Sequence, residues 1–277
     1  MVADYFAVEL FKLLRRPASW VLMAIVIAVL VLFGYLFTYV FVVNAQRGNA
    51  PQGVNPETLL QPLLPENVLL TVLSNLTSLT AAVALVFGAL VAGSEYGWGT
   101  LKLMLSQRPG RLNMLTGKIL AVSVLLAGLA VVTILVGITS SAIVASLQDQ
   151  SSEWPSLWQL TKGLGAGWLI LAAWTSLGIF LGILFRGSSL AIGVGLIYSL
   201  VVEGLALGLP IQGDTFTTIQ KVFLGKNAQD LASAFGQLPQ GAAPGETVDP
   251  AQAVFILFAY AAVFLLMAAL LFRRRDV

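Results

Sequence analysis

The chain has 277 residues, of which 58% are hydrophobic and only 10% charged, with a formal net charge of +2. Soluble domains carry about 25% charged residues, so this composition predicts a protein whose main solvent is lipid. Because the sequence contains no cysteine and no histidine, it excludes thiol chemistry and lacks the commonest zinc ligand and the usual general base. We therefore expect no catalysis and no bound metal or cofactor in this chain.

Residues 1–17 predict an amphipathic helix that lies in the membrane interface. Apolar residues recur at helical spacing from Phe6 to Leu14, and the opposite face is charged from Glu9 to Arg16. Such a segment lies in the plane of the interface rather than across the membrane. A basic flank that only orients the first span is a compatible interpretation.

Six later stretches are apolar for about 20 residues or more, the length that an α-helix needs to cross the hydrocarbon core. They cover approximately residues 20–43, 68–92, 119–147, 163–185, 189–209 and 251–272. The sequence therefore predicts an all-α membrane protein in which residues 1–277 form a single domain of six transmembrane helices.

The basic residues indicate the orientation of these spans. An even number of spans places both termini on one side, and that side receives eleven of the 15 Lys and Arg residues. The opposite side holds the other four, together with eight acidic residues from Glu57 to Asp249. Because loops rich in Lys and Arg stay in the cytoplasm, we expect both termini to be cytoplasmic.

The second span contains four polar residues on one face. Thr71, Ser74, Asn75 and Ser78 stand at positions i, i+3, i+4 and i+7, which share one side of a helix. They are candidates for lining a translocation path. Hydrogen bonding between packed helices explains the same pattern equally simply.

The loop that follows the second span predicts a short helix. Thr100 is a suitable N-cap, Leu101, Met104, Leu105 and Arg108 lie along one side, and a Pro-Gly pair ends the helix. A helix of two turns is marginal in water without a packing partner. Lipid headgroups and a cytoplasmic protein are both possible partners on residue pattern alone.

The fourth and fifth spans add two features. Gly178 and Gly182 have the spacing of a helix-packing motif that often occurs by chance. Glu203 is the one charged side chain within a predicted span, and such a carboxylate is by default a functional candidate. It either borders the translocation path or, near the end of its span, bonds a neighbouring helix or pairs with Lys221.

Three segments together resemble bacterial ABC-transporter permeases of the type-2 exporter class. They are the opening Glu9–Ala18, the loop with Gly93-Ser-Glu-Tyr96, Gly99-Thr-Leu-Lys102, Arg108-Pro109 and Gly117-Lys118, and the closing Leu271–Asp276. The resemblance implies a bacterial cell membrane, a loop helix that docks on a separate ATPase subunit, and an N-terminal connecting helix beside it. It makes Glu95, Thr100, Leu101, Met104, Leu105 and Arg108 candidate ATPase-coupling residues. It does not extend to the outer loops, so it names no substrate.

The ATPase must be a separate chain, because this sequence has no phosphate-binding loop. Between Gly110 and Lys118 there are six intervening residues before Gly117 and an isoleucine where the motif needs Ser or Thr. We therefore expect ATP and Mg²⁺ on a partner ATPase, a second copy of this chain in a homodimer, lipid contacts and no nucleic acid. The alternatives are an ion-coupled secondary transporter, which should show internal repeats and paired intramembrane charges, and a non-transporting assembly or immunity subunit.

Overall fold

The computed structural model describes residues 2–49, 55–97, 111–150, 153–208, 219–236 and 248–274. Within these ranges the chain forms helices and turns without a β-strand. Six of the helices are long and apolar enough to cross a membrane. The prediction of an all-α membrane protein with six spanning helices is confirmed.

An N-terminal helix, α1 (Val2–Arg15), precedes the six spans. The spans, numbered in chain order, are Pro17–Gly48, Leu79–Tyr96, Leu112–Leu147, Leu157–Leu184, Ser188–Ala206 and Pro250–Arg274. Shorter helices are Pro56–Leu60, Gln61–Leu63, Pro65–Asn67, Val68–Leu76 and Leu224–Ser233. We call Leu224–Ser233 the docked helix. The end of the bundle with α1 is the basic end, and the end with the docked helix is the acidic end.

The second crossing is not the continuous helix predicted over residues 68–92. One helix ends at Leu76 and the next begins at Leu79. At the break, Thr77 Oγ1 donates to the Ser74 carbonyl oxygen (2.8 Å) and Ser78 Oγ donates to that of Asn75 (3.0 Å). Short hydroxyl side chains that bond nearby carbonyls compete with the helical ladder, which explains the interruption.

Two other predicted boundaries also shift. The third helix is already formed at Arg111 rather than starting near residue 119, and α1 packs along its first described turns. The fourth begins at Leu157, where Ser156 and Gln159 form a capping box.

The fourth span is the centre of the bundle. Its apolar window is 78% buried inside the protein, against 17% for the first span and 11% for the sixth. Trp174, Ile170 and Leu171 of this span are almost fully buried. The peripheral spans therefore present most of their apolar surface outward, as lipid-facing helices do.

Glycines allow the second and fourth spans to pack at backbone distance. A methyl group on Gly178 would overlap the carbonyl oxygen of Leu85, and one on Gly88 would overlap that of Thr175. Gly182 lies against the backbone of Gly93 in the same seam. The Gly178-x-x-x-Gly182 spacing, which the sequence alone gave little reason to select, thus lies where the backbones of the second and fourth spans are in contact.

We expect Gly178→Ala to destabilise the protein by about 1–3 kcal/mol, because the added methyl group must displace backbone atoms rather than a flexible side chain. The thermal unfolding midpoint of the detergent-purified protein measures this effect. Gly193→Ala is the matched control, since a methyl group there meets nothing within 4 Å. Equal midpoints for the two variants would contradict the assigned packing.

Candidate functional site

The N-terminal helix α1 packs against the beginning of the third helix. A methyl group on Gly117 would lie 2.7 Å from Tyr5 Cβ and 3.0 Å from the Phe6 nitrogen, so the two helices touch at this glycine. Leu13 is buried on the same side of α1, whereas Val8, Phe11 and Leu14 remain exposed. The contact brings the charged residues of α1 against the ends of the second and third spans.

Four charged residues from three helices meet there, and we call them the basic-end network. Glu9 and Lys12 come from α1, Glu95 from the end of the second span, and Lys118 from the start of the third. Lys118 Nζ forms an ion pair with Glu95 and lies 4.0 Å from Glu9 Oε2. Lys12 Nζ lies 3.3 Å from Glu95 Oε1 and also pairs with Glu9. Two carboxylates thus face two ammonium groups.

The network is buried. Glu9, Glu95 and Lys118 are each less than 5% exposed, and the Lys12 side chain is 25% exposed. Lys118 Nζ also donates to the Val91 carbonyl oxygen (3.5 Å), and Arg16 donates to Ser94 Oγ (3.3 Å). Because removing a charge from water costs several kcal/mol unless it is paired, each of these residues depends on a partner of opposite charge within the network.

This network surrounds the base of the loop that the sequence predicts to contact a partner. Glu95 stands just before the loop and Lys118 just after it, so the ion pair ties its two flanks together. The adjoining space, lined by Tyr96, Met114 and Phe272 among others, measures only about 10 Å³. The arrangement can therefore hold the two described flanks of the loop in fixed positions.

The other predicted coupling residues are not covered by the structure. Thr100, Leu101, Met104, Leu105 and Arg108 lie outside the described residues. Of that predicted set, Glu95 is described. Sequence reasoning missed its partners Glu9, Lys12 and Lys118. A usable signal was present, because opposite charges stand at the facing ends of two consecutive apolar stretches.

The predicted polar face of the second span is split between the interior and the surface. Asn75 is buried and accepts a hydrogen bond from Thr80 Oγ1 (3.3 Å), and Thr71 donates to the Pro62 carbonyl oxygen. Ser74 and Ser78 are exposed beside the helix break. Two of the four residues therefore serve internal contacts, and two point outward from this single chain.

Glu203 lies at the other end of the bundle and holds the docked helix. It is 3% exposed, and its Oε2 accepts a hydrogen bond from the Gly225 nitrogen (2.8 Å). Tyr198 also interacts with this carboxylate. Ala191 and Gly195, two small residues of the same span, are buried, and Gly195 lies against Leu85. Glu203 thus bonds a neighbouring helix, and its role in translocation stays a prediction.

Comparison with known families places residues 58–277 in one family. They match the model described as "Protein of unknown function (DUF2705)", which covers well over half of the chain, so the protein belongs to the DUF2705 family. No curated protein matches the chain. The matched region includes Glu95 and Lys118, whereas α1 lies before it.

We expect Lys118→Met to destabilise the protein by about 3–5 kcal/mol, because it leaves two buried carboxylates, Glu9 and Glu95, with the single ammonium group of Lys12 between them. The double variant Glu95→Leu/Lys118→Met should lose much less, since Glu9 and Lys12 still pair. Thermal unfolding of the four species in a double-mutant cycle measures the coupling. Lys162→Met, at an exposed lysine of the fourth span, is the control. Additive effects of the two substitutions would contradict the network.

Proposed function

We propose that this member of the DUF2705 family is the membrane-spanning subunit of an ABC exporter, which forms a translocation path and couples it to a separate ATPase subunit. The observation that carries the proposal is the basic-end network. It joins α1, the second span and the third span around the loop that resembles the ATPase-docking loop of type-2 exporters. A structural anchor alone needs no such buried charges. A device that transmits motion from the loop to the spans needs helices that move together, and the ion pairs of the basic-end network connect three helices in this way.

The basic-end network explains how a force on the loop would reach the membrane-spanning helices. A push on residues 98–110 acts first on Glu95 and Lys118, which flank them and are paired with α1. From Glu95 the second span continues into the glycine seam with the fourth span. Because this seam is in backbone contact, the two spans move as one body. The loop therefore tilts the bundle rather than bending locally.

The energy source in this proposal is ATP with Mg²⁺ on the partner subunit. A partner that binds nucleotide more tightly in its closed state shifts the permease toward one conformation, and hydrolysis resets the cycle. The predicted loop helix from Thr100 to Arg108 supplies the docking surface through Leu101, Met104 and Leu105. The termini and this loop would then face the cytoplasm of a bacterial cell, in agreement with the distribution of Lys and Arg.

The exposed break in the second crossing supports a path formed with a second copy. The helix from Leu79 to Gly97 has 19 residues, or about 28 Å at 1.5 Å per residue, which nearly spans a hydrocarbon core of about 30 Å. Ser78 therefore lies near the edge of that core farther from the basic end. Polar groups there face protein or water rather than hydrocarbon, so the exposed Ser74 and Ser78 favour an interface between two permease copies or a hydrated path between them.

We expect Met104→Asp and Leu105→Asp to uncouple ATP hydrolysis from transport while leaving the protein inserted, because a charge disrupts the apolar side of the docking helix. The measurement is affinity purification of the chain from its native membranes, identification of a co-purifying ATPase with a Walker motif, and its transport-linked ATP hydrolysis in vesicles. At least about a tenfold loss of coupling is expected, the scale of a disrupted apolar hot spot.

Leu157→Asp is the control for these variants, because it makes the same change at a leucine that is 82% exposed at the other end of the bundle. It should leave coupling unchanged. Full transport by both loop variants would refute the docking assignment. Transport by the purified chain alone, driven by an ion gradient without nucleotide, would instead favour the secondary-transporter alternative.

The absence of cysteine from the sequence allows a direct test of the second copy. We expect Ser78→Cys to form a disulfide-linked dimer in native membranes under mild oxidation, because the proposed interface places two copies of this position near each other. Leu135→Cys, at a 55% exposed leucine of the third span, is the control and should stay monomeric. Equal cross-linking of both variants, or of neither, would contradict this interface.

A further inference from the structure

A large cavity lies at the acidic end of the described chain, remote from the basic-end network. It measures about 990 Å³, at the upper limit of the volumes typical of small-molecule sites. Its walls come from residues 61–69, which precede the break in the second crossing, and from the fourth span, the docked helix and the start of the sixth span. The cavity is therefore built from elements that are distant in sequence.

The walls change in character from the floor to the rim. Leu69, Leu169 and Leu231 are buried and line the apolar part. Gln61, Glu66, Glu153 and Gln159 are exposed polar residues of the lining, beside Trp154. An apolar pocket with a few polar groups at one side matches an amphipathic ligand.

The charges of the lining favour a cation. Two carboxylates, Glu66 and Glu153, face one ammonium group, that of Lys162. Lys162 Nζ already lies 5.2 Å from the centre of the Trp158 ring, a distance at which a cation–π contact holds it. Trp154 and Phe235 also line the cavity, and aromatic rings attract cations. Within the described residues no three His, Cys, Asp or Glu side chains are grouped so that they could hold a metal ion. Two carboxylates beside aromatic rings and an apolar floor match an organic cation.

One wall is held firmly in place. The docked helix is anchored by Glu203 at its start, and Asp230 Oδ2 accepts a hydrogen bond from the Val248 nitrogen (3.2 Å). Asp230 also pairs with Lys226 (2.7 Å). After the docked helix, a methyl group on Gly236 would lie 2.7 Å from Asn67 Oδ1, so the segment that follows the helix contacts Asn67. These contacts preform the cavity, which lowers the cost of binding.

A glycine keeps the opposite wall open. Gly165 lines the cavity, and a Cβ atom there would meet nothing within 4 Å. The position faces empty space rather than a packed neighbour, unlike Gly163, where a Cβ atom would lie 2.7 Å from Leu69. A large side chain at residue 165 can therefore enter the cavity without displacing a helix.

We propose that this cavity is a binding site for an amphipathic organic cation. The apolar body of the ligand occupies the floor near Leu69 and Leu169, and its positive charge lies toward Glu66, Glu153 and the ring of Trp154. The proposal rests on the cavity alone and is independent of whether the chain exports anything.

The test uses tetraphenylphosphonium and tetraphenylborate, two ions of nearly the same size and shape with opposite charge. Equilibrium dialysis of each radiolabelled ion against the purified full-length protein in neutral detergent, with protein-free micelles as the blank, measures saturable binding. We expect saturable binding of tetraphenylphosphonium and at least about tenfold weaker binding of tetraphenylborate, because the anion meets the carboxylates unpaired.

Two kinds of variant locate the binding. Gly165→Phe should weaken tetraphenylphosphonium binding by about tenfold or more through steric exclusion. Gly128→Phe is its control, since Gly128 of the third span also has nothing within 4 Å and does not line the cavity. Glu153→Gln, an exposed substitution that spares folding, should weaken binding about twofold to fivefold and reduce its salt dependence.

Equal affinity for the two ions would overturn the proposal, as would the absence of saturable binding. Unchanged affinity in Gly165→Phe would also overturn it, because the ligand would then bind elsewhere. If Gly165→Phe fails to fold, the charge preference and Glu153→Gln decide the matter: wild-type affinity and salt dependence in Glu153→Gln would refute the placement of the cation. None of these results depends on the ATPase.

Discussion

Charged side chains are costly to bury among apolar helices unless opposite charges or hydrogen bonds compensate them, and this requirement governs the basic end of the molecule. Glu9, Lys12, Glu95 and Lys118 come from three helices, and each has a partner of opposite charge on another of them or on its own helix. The ion pairs therefore set the position of α1, the end of the second span and the beginning of the third span together. The residues that flank the loop between those two spans are therefore held in place on both sides.

The stiffness of this base contrasts with irregular backbone further along the spans. The second and fourth spans touch through glycines, which leaves little room for sliding. Beyond that seam, the second crossing breaks at Thr77, and the first and fifth spans contain π-helical segments at Leu30–Leu36 and Ile197–Val202. Such segments often mark functional positions in helices. One half of the bundle thus has closely packed helices and the other half has irregular helical backbone. This arrangement is expected where a movement of the closely packed half changes the shape of the irregular half.

The two ends of the bundle have opposite physical character. At the basic end, the four charges of the basic-end network balance each other, and only about 10 Å³ of space lies beside the ion pairs. The acidic end holds a cavity of about 990 Å³ with a surplus of carboxylates. The fourth span connects them, because Leu169 forms part of the cavity floor and Gly178 lies in the seam with the second span. An occupant of the cavity would thus contact the same helix that the basic-end network reaches through the second span.

The sequence by itself determined that the chain lies in a membrane, how many spans it has and that Lys and Arg concentrate on one side. These properties depend on the length and composition of local stretches. It also placed Glu95 beside a loop that is predicted to contact a partner. Only the tertiary structure decided which charges pair with Glu95, that Asn75 turns inward while Ser78 stays exposed, and that Glu203 holds the docked helix. Each of these outcomes depends on which helix lies beside which, and hydrophobic patterns do not encode that order, since any apolar face packs against any other. Close packing through Gly88 and Gly178 settles it, because only backbones without side chains can approach so nearly.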